Sequence, residues 1–327
     1  MPRRYWGYRI DTSNLNYFRS ELEKGILRQG WGSHQGQNLR NLSLDGGARR
    51  NFTIFKKVKK GDILLVPRLP NWSQVAIVEA TDDFCNGYVF EISQDMRDYG
   101  HQFPVKYIKQ FSRTNSNVSG RIRATIKNVS RFWNIDHCAD EIEFLLAAED
   151  SSLRSKQSYI DRFSNTVNDS FYECFDQNKF SKILYDRFTT GFSNEEWEYA
   201  LVEGLKKIFP PPNIIERTGG VKEAEHGTDI TIRIPGLMNY DYLIAIQVKD
   251  YEGYVNGSPL KQLSKADSYW SNENTKLIDK ILIITKSEKH QNKSIASNDK
   301  GINIVFANEL EELLSQIGKS YLGLAQR

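Results

Sequence analysis

Two strand-like runs in the second half of the chain constrain it most. The first, Asp229-Ile-Thr-Ile-Arg-Ile234, opens on a carboxylate. The second, Tyr242-Leu-Ile-Ala-Ile-Gln-Val-Lys249, ends on an amide and an ammonium two residues apart. Both are rich in β-branched residues, which suit a pleated surface. Side chains alternate along a strand, so Gln247 and Lys249 emerge on one face. An acid on one strand, facing an amide and a lysine on the next, is a pattern that can hold a divalent metal against a phosphodiester.

The 327 residues allow two domains or two with a connector. Aromatic residues make up 12% and apolar residues 39%, enough for sizeable cores. No apolar run reaches the roughly 18–20 residues of a membrane helix. The basic start, Met1-Pro-Arg-Arg-Tyr-Trp6, has no apolar stretch behind it and does not read as a signal peptide. Cys85, Cys138 and Cys174 are far apart and odd in number. They are expected to be thiols in a reducing cytoplasm, not a disulfide frame or a zinc site. No GxxxxGK[ST] loop is present, so an NTP-driven motor would be a separate chain.

The net charge of +3 hides an asymmetry. Residues 1–135 hold 22 of the 44 Lys and Arg but 11 of the 41 Asp and Glu. That excess points to contact with a polyanion. Within 1–135 a helix is expected over 14–25, and short strands at 63–66, 75–80 and 88–92. Strands so spaced between turns predict a small barrel or a strongly bent sheet. Residues 136–190 are polar and helical-looking and read as a connector. From 191 onward strands alternate with helices. Ser193 and Glu196 suggest a capping box for a helix to about Phe209, and Pro210-Pro-Pro212 stops it. A helix over 259–270, strands at 280–285 and 302–306, and a helix over 308–317 capped by Asn308 complete an α/β core. The expected whole is a multidomain α+β protein, divided 1–135, 136–190 and 191–327.

Magnesium prefers hard oxygens: one or two carboxylates, waters and substrate phosphate. Asp229 offers a carboxylate, Gln247 a side-chain carbonyl and Val248 a backbone carbonyl. Lys249 can hold the attacking water and offset charge in the transition state. Glu195, Glu196 and Glu198 compete to add a carboxylate from the preceding helix. His226, beside the aspartate, is either a metal or phosphate contact or a turn cap.

Gly227-Thr-Asp229 with Gln247-Val-Lys249 resembles the G-x-D…Q-x-K pattern of the Mrr-like branch of the PD-(D/E)xK nucleases. The resemblance covers roughly residues 191–320. Trp197-Glu198 resembles the aromatic–Glu pair of that branch and so singles out Glu198. It implies a central mixed sheet flanked by helices, and Mg2+-dependent DNA cleavage in which Mn2+ can substitute.

A looser resemblance spans residues 3–133. Gly61-Asp-Ile-Leu-Leu-Val-Pro67, Val75–Thr81, Asp98-Tyr-Gly-His101 and Pro104–Tyr107 look like the small β-barrel readers of the PUA/EVE type. That likeness implies an aromatic-lined pocket for a modified base flipped from double-stranded DNA, modified cytosine being one such base. Trp6, Trp31, Trp72, Tyr99 and Trp133 are candidates to stack on it. Asp45, Asn71 and Asp98 could read its edge. Arg49, Arg50 and Lys57, with Lys56, Lys59 and Lys60, could hold phosphates. Trp31 and Trp72 lie in polar or Pro-containing loops, where an aromatic has least structural reason to be.

The resulting expectation is a modification-dependent, type IV-like restriction endonuclease, dimeric at least on DNA because two strands need two active sites. Two alternatives stay open at this point. One is a nuclease effector of a multi-component anti-phage system with a partner NTPase. The other is a catalytically silent DNA-binding protein.

Overall fold

The chain divides, in a computed structural model that describes residues 2–92, 96–174, 177–297 and 301–324, into Met1–Gln157 and Ser158–Arg327. The first unit is built on a sheet of β1 (Tyr5–Tyr8), β2 (Ile26–Gln29), β3 (Ile63–Pro67), β4 (Gln74–Ala80), β5 (Val89–Phe90), β6 (His101–Ser112) and β7 (Phe132–Asn134). The order is β2-β6-β4-β3-β1-β7, with β5 also on β6. Only β1 and β3 run parallel; the other pairs are antiparallel.

β6 makes the sheet curl. Its residues 101–104 pair with β2 and its residues 105–112 pair with β4, with a register shift beside Ile77 and Val78. Such an irregularity bends and twists the ladder. The result is a half-barrel covered on both faces, which is why Ile63-Leu-Leu-Val-Pro67 is buried at every position. One face packs Leu64, Val66, Ala76 and Val78 on Phe18 and Leu22 of helix α1 (Leu15–Glu23) and on Ile54 and Phe55 of α2 (Phe52–Lys57). The other packs Ile63, Leu65, Val75 and Ile77 on Ile122 of α3 (Gly120–Thr125) and on Ile142 and Leu145 of α4 (Ala139–Ala147).

The segment 136–190, read as a connector, is therefore split. Its first part covers the half-barrel. Its last part forms α5 (Tyr159–Glu173) and α6 (Gln177–Gly191), whose Phe163, Val167, Leu184 and Phe188 enter the core of the second unit.

That unit continues with α7 (Glu195–Ile208), β8 (Ile214–Arg217), α8 (Glu223–His226), β9 (Ile230–Pro235), β10 (Asp241–Glu252), α9 (Ser258–Leu263), α10 (Ala266–Trp270), β11 (Thr275–Lys286), β12 (Asn303–Val305) and α11 (Ala307–Tyr321). Its sheet runs β12-β11-β10-β9-β8, antiparallel over β8-β9-β10 and parallel over β10-β11-β12. Ile246 and Val248 face the core shared with α5, α6, α7 and α11. Leu243 and Ala245 face the one shared with α9 and α10. By strand parity, Gln247 and Lys249 continue the second of these faces.

Some boundaries differ from the sequence expectation. The helix over 259–270 is two short helices, α9 and α10. Asn194, not Ser193, is the N-cap of α7, while the Ser193 N–H donates to Glu196 Oε2 at 3.3 Å. The last helix is capped at Phe306, ahead of Asn308, because Glu309 Oε2 reaches back to accept the Phe306 N–H at 3.1 Å. The three cysteines form no disulfide with one another, and Cys138 and Cys174 are buried. No helix among the described residues is long and apolar enough to cross a membrane.

α7 and α11 cross at a glycine. A Cβ on Gly204 would lie 2.7 Å from Ile317 Cγ2. Gly204→Val should overpack that crossing and cost about 1–3 kcal/mol. Calorimetry should then show Tm lowered by several degrees, at about 2–4 °C per kcal/mol. An unchanged Tm would mean that the two helices can simply move apart.

Candidate active site

β9 pairs with β10 only as far as Ile246. Asp229 sits at that point, its N–H donating to the Ile246 carbonyl at 2.8 Å. Past Ile246 the β10 edge is unpaired on this side, and Asp229 fills it: the Val248 N–H donates to Asp229 Oδ2 at 2.8 Å. Asp229 is 1% exposed, and its Oδ1 has no hydrogen-bond partner. Gln247 is 0% exposed; its Nε2 donates to Gln262 Oε1 at 3.1 Å, and its Oε1 also has no partner. A buried polar atom left unpaired costs about 1–3 kcal/mol. Two such oxygens lie on adjacent strands, each open to a further donor or cation.

Glu198 completes the enclosure from α7. It is buried, and its Oε2 accepts from Arg217 Nε at 2.7 Å. Gly219 shows how tight the site is. A Cβ there would lie 2.6 Å from Glu198 Oε2 and 3.2 Å from Asp229 Oδ1. The two carboxylates thus line one small space that any side chain at 219 would fill. Of the other candidates, Glu195 is exposed, and Glu196 is spent on a buried ion pair with Arg162 at 3.0 Å.

Lys249 Nζ donates to Glu223 Oε1 at 3.2 Å. Glu223 also raises the pKa of Asp229. Neither Glu223 nor Arg217 was singled out from the sequence; the one signal was an acid six residues ahead of Asp229. His226 proves to be a turn cap, its Nδ1 accepting the Thr228 N–H at 3.0 Å. Val248 places its N–H on the aspartate.

The site carries more negative charge than it neutralises. Burial, then the Asp229 charge, pushes the Glu198 carboxyl up to about 7 against the pull of Arg217. Burial likewise raises Asp229, against the Val248 N–H and Lys249. Among the described residues no group of three His, Cys, Asp or Glu is arranged to hold a metal ion. The donors present, two carboxylates and an amide carbonyl with two orphaned oxygens, still fit a magnesium ion that keeps water and phosphate oxygens in its shell.

No family model matches the chain, and no curated protein matches it. A solved structure that aligns with it is the MspJI restriction endonuclease in complex with a 27-mer oligonucleotide, at 12% identity, over 92% of this chain and 72% of that one, with a TM-score of 0.29.

In the first unit the residues expected to form one aromatic cage separate. Trp6 is core: it is 2% exposed, stacks on Phe132 and donates to Asp62 Oδ2 at 2.9 Å. Trp133 covers Gly7, where no Cβ would fit. Trp72 is 56% exposed on the β3–β4 turn, under the Arg68 guanidinium. Asn71 spends its side chain on that same turn, bonding Ser73 and Gln74. Asp45, Arg49 and Lys57 are exposed.

Trp31, Asp98 and Tyr99 do come together. Trp31 adopts φ 62°, and its N–H donates to Asp98 Oδ1 at 3.0 Å. Arg131 lies against its ring and Arg50 stands 4.8 Å from the ring centre. The Trp31 carbonyl accepts from His101 Nε2 at 2.7 Å, so the His101 Nδ1 accepts from the Tyr88 hydroxyl. Burial holds His101 down to about 4 and keeps it neutral. Asp98 and Tyr99, with Gln29, Asp11 and Arg131, line a polar pocket of about 290 Å³. Gln29 is 4% exposed and its Nε2 has no partner. Gln29 and Arg131 were missed because nothing local in the sequence marks either of them, and they meet across 102 residues.

The two units should respond to pH with opposite sign. Glu198 binds its proton more tightly folded than unfolded, so its contribution is whole below about pH 4.5 and lost as pH rises through about 7. His101 binds its proton more weakly folded, so its contribution is whole above about pH 6.5 and lost as pH falls toward 4. Hydrogen exchange on the full chain should show the second unit loosening between pH 5 and 8 (order-of-magnitude window) and the first unit loosening below pH 6. Glu198→Gln should flatten the first trend and raise Tm at pH 8 by about 2–4 °C. Asp229, which burial raises to about 6, adds to the same trend, so a pH trend left unchanged by this variant, not merely reduced, would clear Glu198 of causing it.

Proposed function

We propose that the chain is a divalent-metal-dependent DNA endonuclease whose first unit selects the DNA by a modified base. The observation that carries the reading is the pair of buried, unpartnered oxygens, Asp229 Oδ1 and Gln247 Oε1, beside Glu198 and Lys249. Asp229, Gln247 and Glu198 would hold a magnesium ion, which supplies Lewis-acid polarisation of the scissile phosphate when bound. Glu198, whose carboxyl is pushed up to about 7 by burial, would be able to take a proton from an attacking water. Lys249 Nζ donates hydrogen bonds and sits where it can hold that water or the phosphate oxygens, steadied by Glu223. Burial on both faces of β10 keeps bulk water from the strand that carries these groups.

Recognition fits the first unit. Its 290 Å³ pocket offers a free donor at Gln29 Nε2, carboxylates at Asp98 and Asp11, and the Arg131 cation. That mixture suits a flat heteroaromatic edge such as a flipped base. The basic surplus of residues 1–135 suits the phosphates around it. By this reading the protein is a type IV-like restriction enzyme, acting as a dimer on double-stranded DNA.

Plasmids that are unmodified, 5-methylated or 5-hydroxymethylated at cytosine, incubated with Mg2+ or Mn2+, test it. Wild type should cut at least one modified plasmid faster than the unmodified one. Asp229→Asn and Lys249→Ala should each lose at least about 100-fold in rate while binding DNA normally. Arg131→Ala should cut all three plasmids alike. Equal cutting by Lys249→Ala and wild type, or no cutting of any plasmid, would end the assignment.

A further inference from the structure

Gln247 raises a problem that a carboxylate at the same place would not. A carboxylate offers an oxygen whichever way it turns, whereas an amide offers oxygen at one end and a donor NH2 at the other. Only the oxygen end can face a cation. Gln247 is 0% exposed, so its NH2 cannot be left to water and needs an acceptor of its own. That acceptor is Gln262, whose Oε1 lies 3.1 Å from Gln247 Nε2. With the NH2 so engaged, Gln247 Oε1 is the end left without a partner, as is Asp229 Oδ1 on the adjacent strand.

We infer that Gln262 is a positioning residue, which turns the Gln247 amide so that its oxygen faces the cation site. The inference rests on the nuclease reading above, and adds a residue of α9 to it.

The surroundings hold α9 in place for this role. Gly227, at φ 65°, brings its backbone against the Gln262 carbonyl, where a Cβ would come within 2.0 Å. Lys265 Nζ, between α9 and α10, donates to the Ala224 carbonyl at 2.6 Å and ties the α9–α10 junction to α8. Trp270 Nε1 donates to Thr228 Oγ1 at 3.1 Å, beside the aspartate. The side chain of Gln262 is itself exposed, so its replacement leaves the core intact.

The probe is Mn2+ alone, titrated into the full chain and followed by its EPR signal and by the rise in Tm. Gln262→Ala should weaken binding about 10–100-fold, as loss of an orienting partner does at metal sites. Gln262→Glu, which only accepts, should bind at least as tightly as wild type. Gln262→Lys, which only donates, should bind as poorly as the alanine variant or worse. In a Gln247→Glu background, where no amide needs turning, the Gln262→Ala penalty should vanish, a non-additivity that general loosening would not produce. If wild type binds Mn2+ and Gln262→Ala binds it equally, or if the penalty persists beside Gln247→Glu, Gln262 has no such role and the nuclease reading stands. If wild type binds no Mn2+, both fall together.

Discussion

The carboxylate of Asp229 closes an open strand edge, and the second unit is arranged around that contact. β10 is longer than β9, so beyond Ile246 it would present unpaired N–H groups to the interior. Asp229 Oδ2 takes the Val248 N–H, while its own carbonyl accepts from Thr218 and Gly219 at 2.8 and 3.1 Å. One residue therefore joins β8, β9 and β10 where the β9–β10 pairing ends. Its second oxygen is left over as a direct consequence of that geometry, with Glu198 held close by the absence of a side chain at Gly219. Stability and the candidate chemistry thus draw on opposite oxygens of the same group.

How much of this was legible in the sequence depended on whether the signal was local. β9 and β10 stood out because their apolar alternation is strong, and Asp229, Gln247 and Lys249 could be placed at strand positions from it. The strand–helix alternation beyond residue 191 gave the α/β core. Glu223 and Gln262 were not legible, since each acts through a partner 26 or 15 residues away. The first unit was harder. β1, β2 and β7 are short, with three or four residues each, too few for a period to show. β6, the longest of them, carries Pro104 and a register shift that interrupts its pattern. Trp31 stood out from Trp6 by its polar loop, but that Trp6 stacks in the core while Trp31 is held at positive φ by Asp98 and His101 shows only in the long-range pairing.

That positive φ is itself informative. A tryptophan gains nothing locally from the left-handed region, which costs on the order of 1 kcal/mol or more for a bulky side chain. Here it is over-determined from both sides of the peptide: the N–H is taken by Asp98 and the carbonyl by His101. Gly47 lies against the ring where no Cβ could, and Gly30 admits the Asp98 carboxylate. The chain spends a buried histidine, a buried tyrosine and two glycines on the placement of one half-buried indole beside two arginines. The indole is thereby fixed in one position by contacts from Asp98, His101, Arg131 and Gly47.

An amide at position 247 also has an electrostatic reason. The site holds Asp229, Glu198 and Glu223 against Lys249 and Arg217, and two of its carboxyl groups are raised by burial. A third buried carboxylate on β10, at a position with no exposure, would face the same desolvation and the same neighbours. It would keep its proton at neutral pH unless a cation were bound. A protonated acid is no better an oxygen donor than an amide, and its charge would make the fold less stable each time the proton left. Glutamine supplies the oxygen without that liability, and the requirement it introduces in exchange is orientation, which one acceptor on α9 can meet.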